Sequence, residues 1–423
     1  MKYLAQVRLF VVCWSWLVVA TSVVAVEPTG EAWARHTIDD SSHGADGVKL
    51  ADINQDGLMD VTTGWEQGGI TRVYLHPGHD AVGMRWPAVT VGKTPSAEDA
   101  VFVDLDADGA LDVVDSCEVN TNTMFVHWRP QLTNDLLDSK RWKRDVLPAS
   151  KGRMAWMFAW PMQVDGQHGV DLIAGGKSEG AELGWFEAPP DGRRLDEYRW
   201  HSITPVGWVM SIWKRDIDGD GDVDIVTSDR RGPLQSCRWL ENPGPGPQRR
   251  MQWASHFMGE TRGVEVMSMT LADLDQDGLE DALVAARDFQ ILYLRRLDRT
   301  GRRWDTHKIP ADFEAGNTRA VEVGDINLDG RLDLVFTTWR SQGKHGVLWL
   351  ESETTPPDTK WHPRVISGKK KGIKYDRIEL LDLDGDGDLD VMTCEEQEGE
   401  HGLGVIWYEN PRNNKTPEQT SRG

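Results

Sequence analysis

The sequence predicts an all-β fold: a seven-bladed β-propeller of four-stranded blades, with the ring closed by an N-terminal strand that pairs into the last blade. Three observations predict it. An aspartate-rich phrase recurs seven times, each recurrence brings the same strand-like segments with it, and the series starts and stops out of phase.

The phrase reads ADINQDGLMDVTTG, VDLDADGALDVVDS, RDIDGDGDVDIVTS, ADLDQDGLEDALVA, GDINLDGRLDLVFT and LDLDGDGDLDVMTC, with a worn copy, MQVDGQHGVDLIAG. The loops begin at Asp52, Asp104, Gln163, Asp216, Asp273, Asp325 and Asp382, roughly 50 to 60 residues apart. Periods of this length mark propellers and other repeat arrays.

An apolar stretch precedes each loop (VKLAD, VEVGD) and another follows it (DVTTG, DLVFT), both enriched in the β-branched residues of strands. A third segment is aromatic: RVYLHP, FVHWRP, LGWFEAP, CRWLENP, ILYLRR, VLWLES and VIWYENP. A fourth carries Trp in register, and a radially repeated four-stranded sheet is a propeller blade. Trp86, Trp142, Trp200, Trp253, Trp304 and Trp361 of that register are expected to fill the spaces between blades. His36, His201, His256 and His307 share the register, which assigns them to the surface or to packing.

The phase gives the closure. A fourth-strand segment, Trp33 to Ile38, precedes the first loop, whereas the last copy ends after VIWYENP without one. Pairing these two leftovers completes a blade and removes free sheet edges.

In Asp-x-Asp-x-Asp-Gly-x-x-Asp, oxygen donors fall at positions one, three, five and nine, glycine permits the bend, and a carbonyl is available at position seven. Such a hard oxygen cage suits Ca2+, and that many carboxylates would repel one another without a cation. The complete donor sets are Asp104, Asp106, Asp108 and Asp112; Asp216, Asp218, Asp220 and Asp224; Asp273, Asp275, Asp277 and Asp281; and Asp382, Asp384, Asp386 and Asp390. Two further sets carry one amide each: Asp52, Asn54, Asp56 and Asp60; and Asp325, Asn327, Asp329 and Asp333. About six structural calcium ions are therefore expected. The copy with Gln163, Asp165, Gln167 and Asp171 has His168 in place of the bend glycine and is expected to stay metal-free. An EF-hand would end in Glu at position twelve and lie between helices, whereas Thr63, Thr227 and Thr393 occupy that position within strand-like sequence.

The loops and their setting resemble the FG-GAP and VCBS repeats of integrin-like propellers and of many secreted bacterial proteins. AEDAVFVDLDADGALDVVDSCE, GWVMSIWKRDIDGDGDVDIVTSDRRG and ELLDLDGDGDLDVMTCEE carry the likeness, which spans the region after the leader. A more distant similarity is to the propeller part of fungal aldos-2-ulose dehydratase, a sugar lyase whose cupin part has no counterpart here.

With 39% hydrophobic and 27% charged residues, the chain can bury a large core. A net charge of -21 speaks against nucleic acid or anionic lipid as partner. Residues 1–25 read as a secretory signal peptide, with Lys2 and Arg8 before an apolar run and small residues at Ser22 and Ala25. Cleavage near Ala25 predicts a secreted or periplasmic protein with no stable membrane insertion; retention of the same segment as an anchor stays open. Residues 26–412 then form the propeller and 413–423 a flexible tail. The odd set Cys117, Cys237 and Cys394 argues against a disulfide framework and for buried thiols.

Ligands of propellers sit at the mouth of the central channel. Six residues before each loop start stands a ring of Asp46, Glu98, Met157, Met210, Met267, Arg319 and Asp376. Unlike side chains at symmetry-related places point to a pocket, flanked by Trp156 and Trp208, for a carbohydrate or another small polar ligand, with Arg319 as a further ligand contact. A plug of the three methionines is the alternative. Asp46, Glu98, Asp99 and Asp376 are candidates for acid and base or for a further cation, while KKKGIK from Lys369 reads as a solvated loop. Two function classes follow: a binding or scaffold module for a protein or carbohydrate partner, or a sugar-acting lyase or isomerase at the channel mouth.

Overall fold

A computed structural model describes residues 27–412; the leader and the tail lie outside the described residues. The described residues form seven four-stranded antiparallel sheets, each with its strands in chain order except the last. The innermost strands of blades 1 to 7 are Ala45–Ala51, Ala97–Val103, Ala155–Met162, Val209–Arg215, Val266–Ala272, Asn317–Gly324 and Tyr375–Leu381. No α-helix occurs among the described residues, and none of their segments is a helix long and apolar enough to cross a membrane.

Blade 7 is completed from the other end of the chain. Ala34–Asp39 pairs antiparallel with Gly404–Glu409, with Ala34 opposite Glu409 and Asp39 opposite Val405. The closure extends further than one strand, because Trp33 donates to the Ile366 carbonyl at 2.9 Å and Thr29 exchanges backbone hydrogen bonds with Pro363 and Val365 of blade 6. The N-terminal segment thus ties blade 6 to blade 7 while it closes the ring.

The second strands Asp60–Trp65, Asp112–Cys117, Asp224–Asp229, Asp281–Ala286 and Asp390–Glu395 are buried at every residue, since blades cover both of their faces. This explains why they read as continuous apolar runs instead of alternating ones. The core lies between blades, where the fourth-strand tryptophans contribute as expected. Trp86 packs among side chains of blades 7 and 1, and Trp142 among those of blades 1 and 2. Their indoles donate to Val82 and Leu136 carbonyls, pinning the loops that lead into the fourth strands. The histidines repeat as packing residues: His36 lies over Trp407 at 4.4 Å and His256 over Trp239 at 4.3 Å, each bonded at 2.7 Å to a glutamate of the third strand, Glu409 and Glu241. Cys117, Cys237 and Cys394 are free and buried.

One local irregularity recurs in all seven innermost strands. Pairing with the second strand shifts register between Asp46 and Lys49, Ala97 and Asp99, Trp156 and Phe158, Val209 and Ser211, Val266 and Met269, Thr318 and Ala320, and Tyr375 and Ile378. A bulge re-aims the side chains beyond it. Hydroxyls of the second strands secure several of these bulges, as where Thr337 donates to the Asp376 carbonyl at 2.6 Å and Thr227 to that of Ser211 at 2.8 Å.

Candidate functional site

The aspartate loops share one hydrogen-bond pattern. The position-one carboxylate accepts backbone N–H groups of the loop, as Asp52 does from Asp56 at 3.0 Å and Gly57 at 2.9 Å, and Asp273 from Asp277 and Gly278, both at 2.9 Å. The position-five carboxylate accepts the N–H of position seven in all six full loops, at 2.8 to 3.1 Å. The position-nine aspartate is a buried junction: Asp224 accepts from Ile217 and Asn242, both at 2.8 Å, and so ties the loop to the third strand. Burial lifts these carboxyls, Asp60 to about 6, Asp112, Asp224, Asp281 and Asp333 to about 7 and Asp390 to about 8.

Three of the donor sets converge closely enough to suit a divalent cation. Oxygens of Asp104, Asp106 and Asp108 lie within 4.8 Å of one another, as do those of Asp216, Asp218 and Asp224, and of Asp273, Asp275 and Asp281. One oxygen of Asp112 is buried without a hydrogen-bond partner. Guanidinium groups also reach some outer oxygens, with Arg193 on Asp106 and Arg295 on Asp275.

The third loop is wired differently. The Gln163 amide donates to the carbonyls of Gln167 at 3.1 Å and Gly169, position seven, at 2.6 Å, while its oxygen accepts from Gly166 at 2.9 Å. A neutral side chain thus engages the position-seven carbonyl from within. His168 takes φ 56°, in the left-handed region that the other loops give to glycine at the same position.

At the channel mouth, Met157, Met210 and Met267 are each 1% exposed, Met157 in one apolar cluster and Met210 with Met267 in another. The charged members of the ring are buried beside them. Arg319 donates to Asp376 through Nε at 3.1 Å and through a second nitrogen. Burial opposes the Asp376 charge, but Arg319 and Lys374 hold its carboxyl down to about 2. Asp46 is pushed well above the carboxylate range by burial and by the charges of Glu396, Asp376 and Glu98. Lys177 bonds Glu98 at 2.9 Å and also reaches Glu118.

Past the bulges the axis opens into a cavity of about 180 Å³. Lys49, Asp99, Glu322, Arg377 and Glu379 line it together with Phe158, Trp160 and Trp213. Lys49 sits 4.8 Å from the Trp160 ring and the Arg377 guanidinium 4.3 Å from Phe158. Asp99 is 1% exposed and no side chain donates a hydrogen bond to either of its oxygens. Burial raises its pKa against the pull of Lys49 and Arg377. Burial and Glu379 raise Glu322 to about 8, although Thr270 donates to it at 2.8 Å. Burial and Arg377 lower Lys49.

The predicted site residues divide accordingly. Asp46, Glu98, Arg319 and Asp376 come together at the mouth and Asp99 enters the cavity. Trp156 is a correction: it is fully buried against Phe186 and Trp200, with its indole donating to Ser150 at 3.0 Å, because the bulge after it leaves it facing the blade interface instead of the axis. Trp208 stays half-buried at the mouth. Lys374 is a second correction, since it turns inward from the lysine-rich loop to pair with Glu396, while Lys369 to Lys371 are exposed. The residues sequence reasoning missed stand three before each loop start: Lys49, Trp160, Trp213, Glu322 and Glu379 at this offset line the cavity. Their unlikeness was readable in the sequence; the bulges that aim them at the axis were not.

A family profile described as "FG-GAP-like repeat" matches residues 216–284 and 273–336, which run from the loop of blade 4 into the second strand of blade 6. No curated protein matches the chain. Among solved structures, "Crystal structure of BBS1N in complex with ARL6DN, soaked with lead" aligns at TM-score 0.51 and 10% identity, covering 92% of this chain and 98% of that one. The mercury-soaked crystal of the same complex aligns at TM-score 0.49 with the same identity and coverage. At such identity the likeness is one of fold alone. With FG-GAP-like repeats matched over residues 216–336 and the same loop pattern around a closed ring, the chain is a seven-bladed β-propeller that carries FG-GAP-like repeats.

Proposed function

We propose that this propeller is an exported binding module, stapled by calcium in six aspartate loops, whose ligand is a carbohydrate or another small polar molecule held on the channel axis. The observation that carries the ligand reading is the contrast between frame and axis. Hairpin loops, interblade tryptophans and His–Glu pairs repeat from blade to blade, whereas the cavity-facing places hold Lys49, Trp160, Trp213, Glu322 and Glu379. An axis with only a packing role has no need of buried unlike charges, which are costly to desolvate. Trp160 and Trp213 supply apolar faces for a sugar ring, and Asp99 supplies an acceptor in want of a donor. Calcium is supported by the converging carboxylates of the loops, which suit a hard cation. Export rests on the leader sequence.

A thermal-shift screen of sugars and polysaccharide fragments, with and without chelator, tests the proposal. A saccharide should raise the melting temperature of the calcium-loaded protein, and Asp99→Asn should abolish the rise. A screen without any shift contradicts the ligand reading.

Asp99 also favours a second reading, a sugar lyase or isomerase. A carboxylate without a side-chain hydrogen-bond donor, lining the same cavity as a Glu322 that stays protonated to about pH 8, offers a base and an acid in one place. Incubation of sugars in D2O separates the two readings: uptake of carbon-bound deuterium marks proton abstraction and its absence leaves binding.

A further inference from the structure

An arc of alternating cations and indoles crosses the mouth face over blades 3 to 6. Lys177 lies 4.7 Å from the Trp208 ring, and Arg230 and Arg231 lie 4.5 and 4.9 Å from the same ring. Glu265 accepts from Arg230 at 2.8 Å and from Arg287 at 3.0 Å. Arg287 in turn lies 4.4 Å from the Trp339 ring, which Arg340 approaches at 4.3 Å. The chain of contact is unbroken.

Charge along the arc is unbalanced from blade 4 onward: Lys177 is matched by Glu98 and Glu118, but Glu265 is shared by Arg230, Arg231 and Arg287, in a protein whose net charge is -21. Arg231 and Arg340 are exposed. A guanidinium stacked on an indole uses its face and keeps its in-plane N–H donors for a planar oxyanion. The arc therefore presents guanidinium donors in excess of acceptors, with the two indoles as their supports.

We propose that the arc binds an acidic saccharide, its carboxylate or sulfate groups held by Arg231, Arg287 and Arg340, whose guanidinium groups are set in place by stacking on Trp208 and Trp339. This rests on the carbohydrate reading above and narrows it to oxyanion-bearing sugars, docked on the mouth face outside the cavity. Ionic contacts of this kind steer association and weaken with salt.

Titration calorimetry of the calcium-loaded full chain tests it with four short probes: trigalacturonate, sulfated maltotriose, maltotriose and triglutamate. One or both acidic trisaccharides should bind, showing whether carboxylate or sulfate is preferred. Maltotriose and triglutamate should bind roughly tenfold more weakly or not at all, a gap of one decade in Kd. Arg231→Ala with Arg340→Ala, both exposed, should cut acidic-sugar affinity by about tenfold at unchanged melting temperature. Triglutamate binding as well as the acidic sugars would make the arc an acidic-peptide site and overturn the proposal. Maltotriose binding equally, with the arginine variant unaffected, would overturn the arc while leaving the carbohydrate reading standing. No binding of any sugar, here or in the thermal-shift screen, would remove both.

Discussion

Gln163 donates its side-chain amide to the backbone carbonyl of Gly169 at 2.6 Å, so one loop of the ring is closed by an internal hydrogen bond at the carbonyl that the calcium proposal assigns to the ion in the others. The two kinds of loop should answer differently to calcium. Gln163→Ala should lower stability by about 1 kcal/mol whether calcium or chelator is present, because the lost bonds are the protein's own. Asp220→Ala should cost about 1 kcal/mol in millimolar calcium and little in chelator. Melting curves of both variants under both conditions check this, and equal losses for Asp220→Ala in both would remove calcium from the explanation.

The same loop carries a backbone penalty. His168 holds φ 56° where glycine stands in the other copies, and a left-handed L-residue costs about 1 to 2 kcal/mol. His168→Gly should stabilise the protein by about 0.5 to 1 kcal/mol after allowing for the greater freedom of glycine in the unfolded chain. A fall in melting temperature would show that the imidazole contributes packing that outweighs the strain.

Arg319 and Asp376 form a buried pair at the channel mouth. Removing one partner strands the other charge, so Arg319→Met should cost about 3 to 5 kcal/mol. Adding Asp376→Asn to that variant should recover most of the loss, since the stranded charge is gone. Urea titrations of the single and double variants measure the coupling, and additive losses would contradict it.

Glu322 gives the cavity a pH signature. Its pKa is about 8 in the folded protein because of burial and Glu379, with Thr270, Arg377 and Lys49 opposing, against about 4.3 in an unfolded chain. Between those values the folded state binds more protons than the unfolded one. Its contribution to stability is therefore complete below about pH 4 and lost as pH rises through about 8. Glu322→Gln should flatten the decline of melting temperature between about pH 5 and pH 8. An unaltered decline would place its cause elsewhere.

Much of this architecture is legible in the sequence because the repeated parts obey local rules. The aspartate loop states its own bend and donors, and each tryptophan marks a fourth strand, so even the closure of blade 7 by Ala34–Asp39 follows from counting segments. The axis is harder to read because a register shift in each innermost strand breaks the alternation on which side-chain direction is inferred. Trp156, one residue before such a shift, turns into the blade interface, and Lys49, Trp160 and Glu322 beyond it reach the cavity. The cation–indole arc is hidden for another reason: Arg230, Arg287 and Arg340 follow second strands of different blades, and only the closed ring brings them into line.

The most direct test of the account is the count of calcium ions bound by the purified protein, by equilibrium dialysis with elemental analysis, paired with melting in calcium and in chelator. The account predicts about six ions per chain and a large drop in melting temperature on chelation, in keeping with six weak sites that each add about 1 kcal/mol. A protein that binds no calcium and melts at the same temperature in both conditions would contradict it.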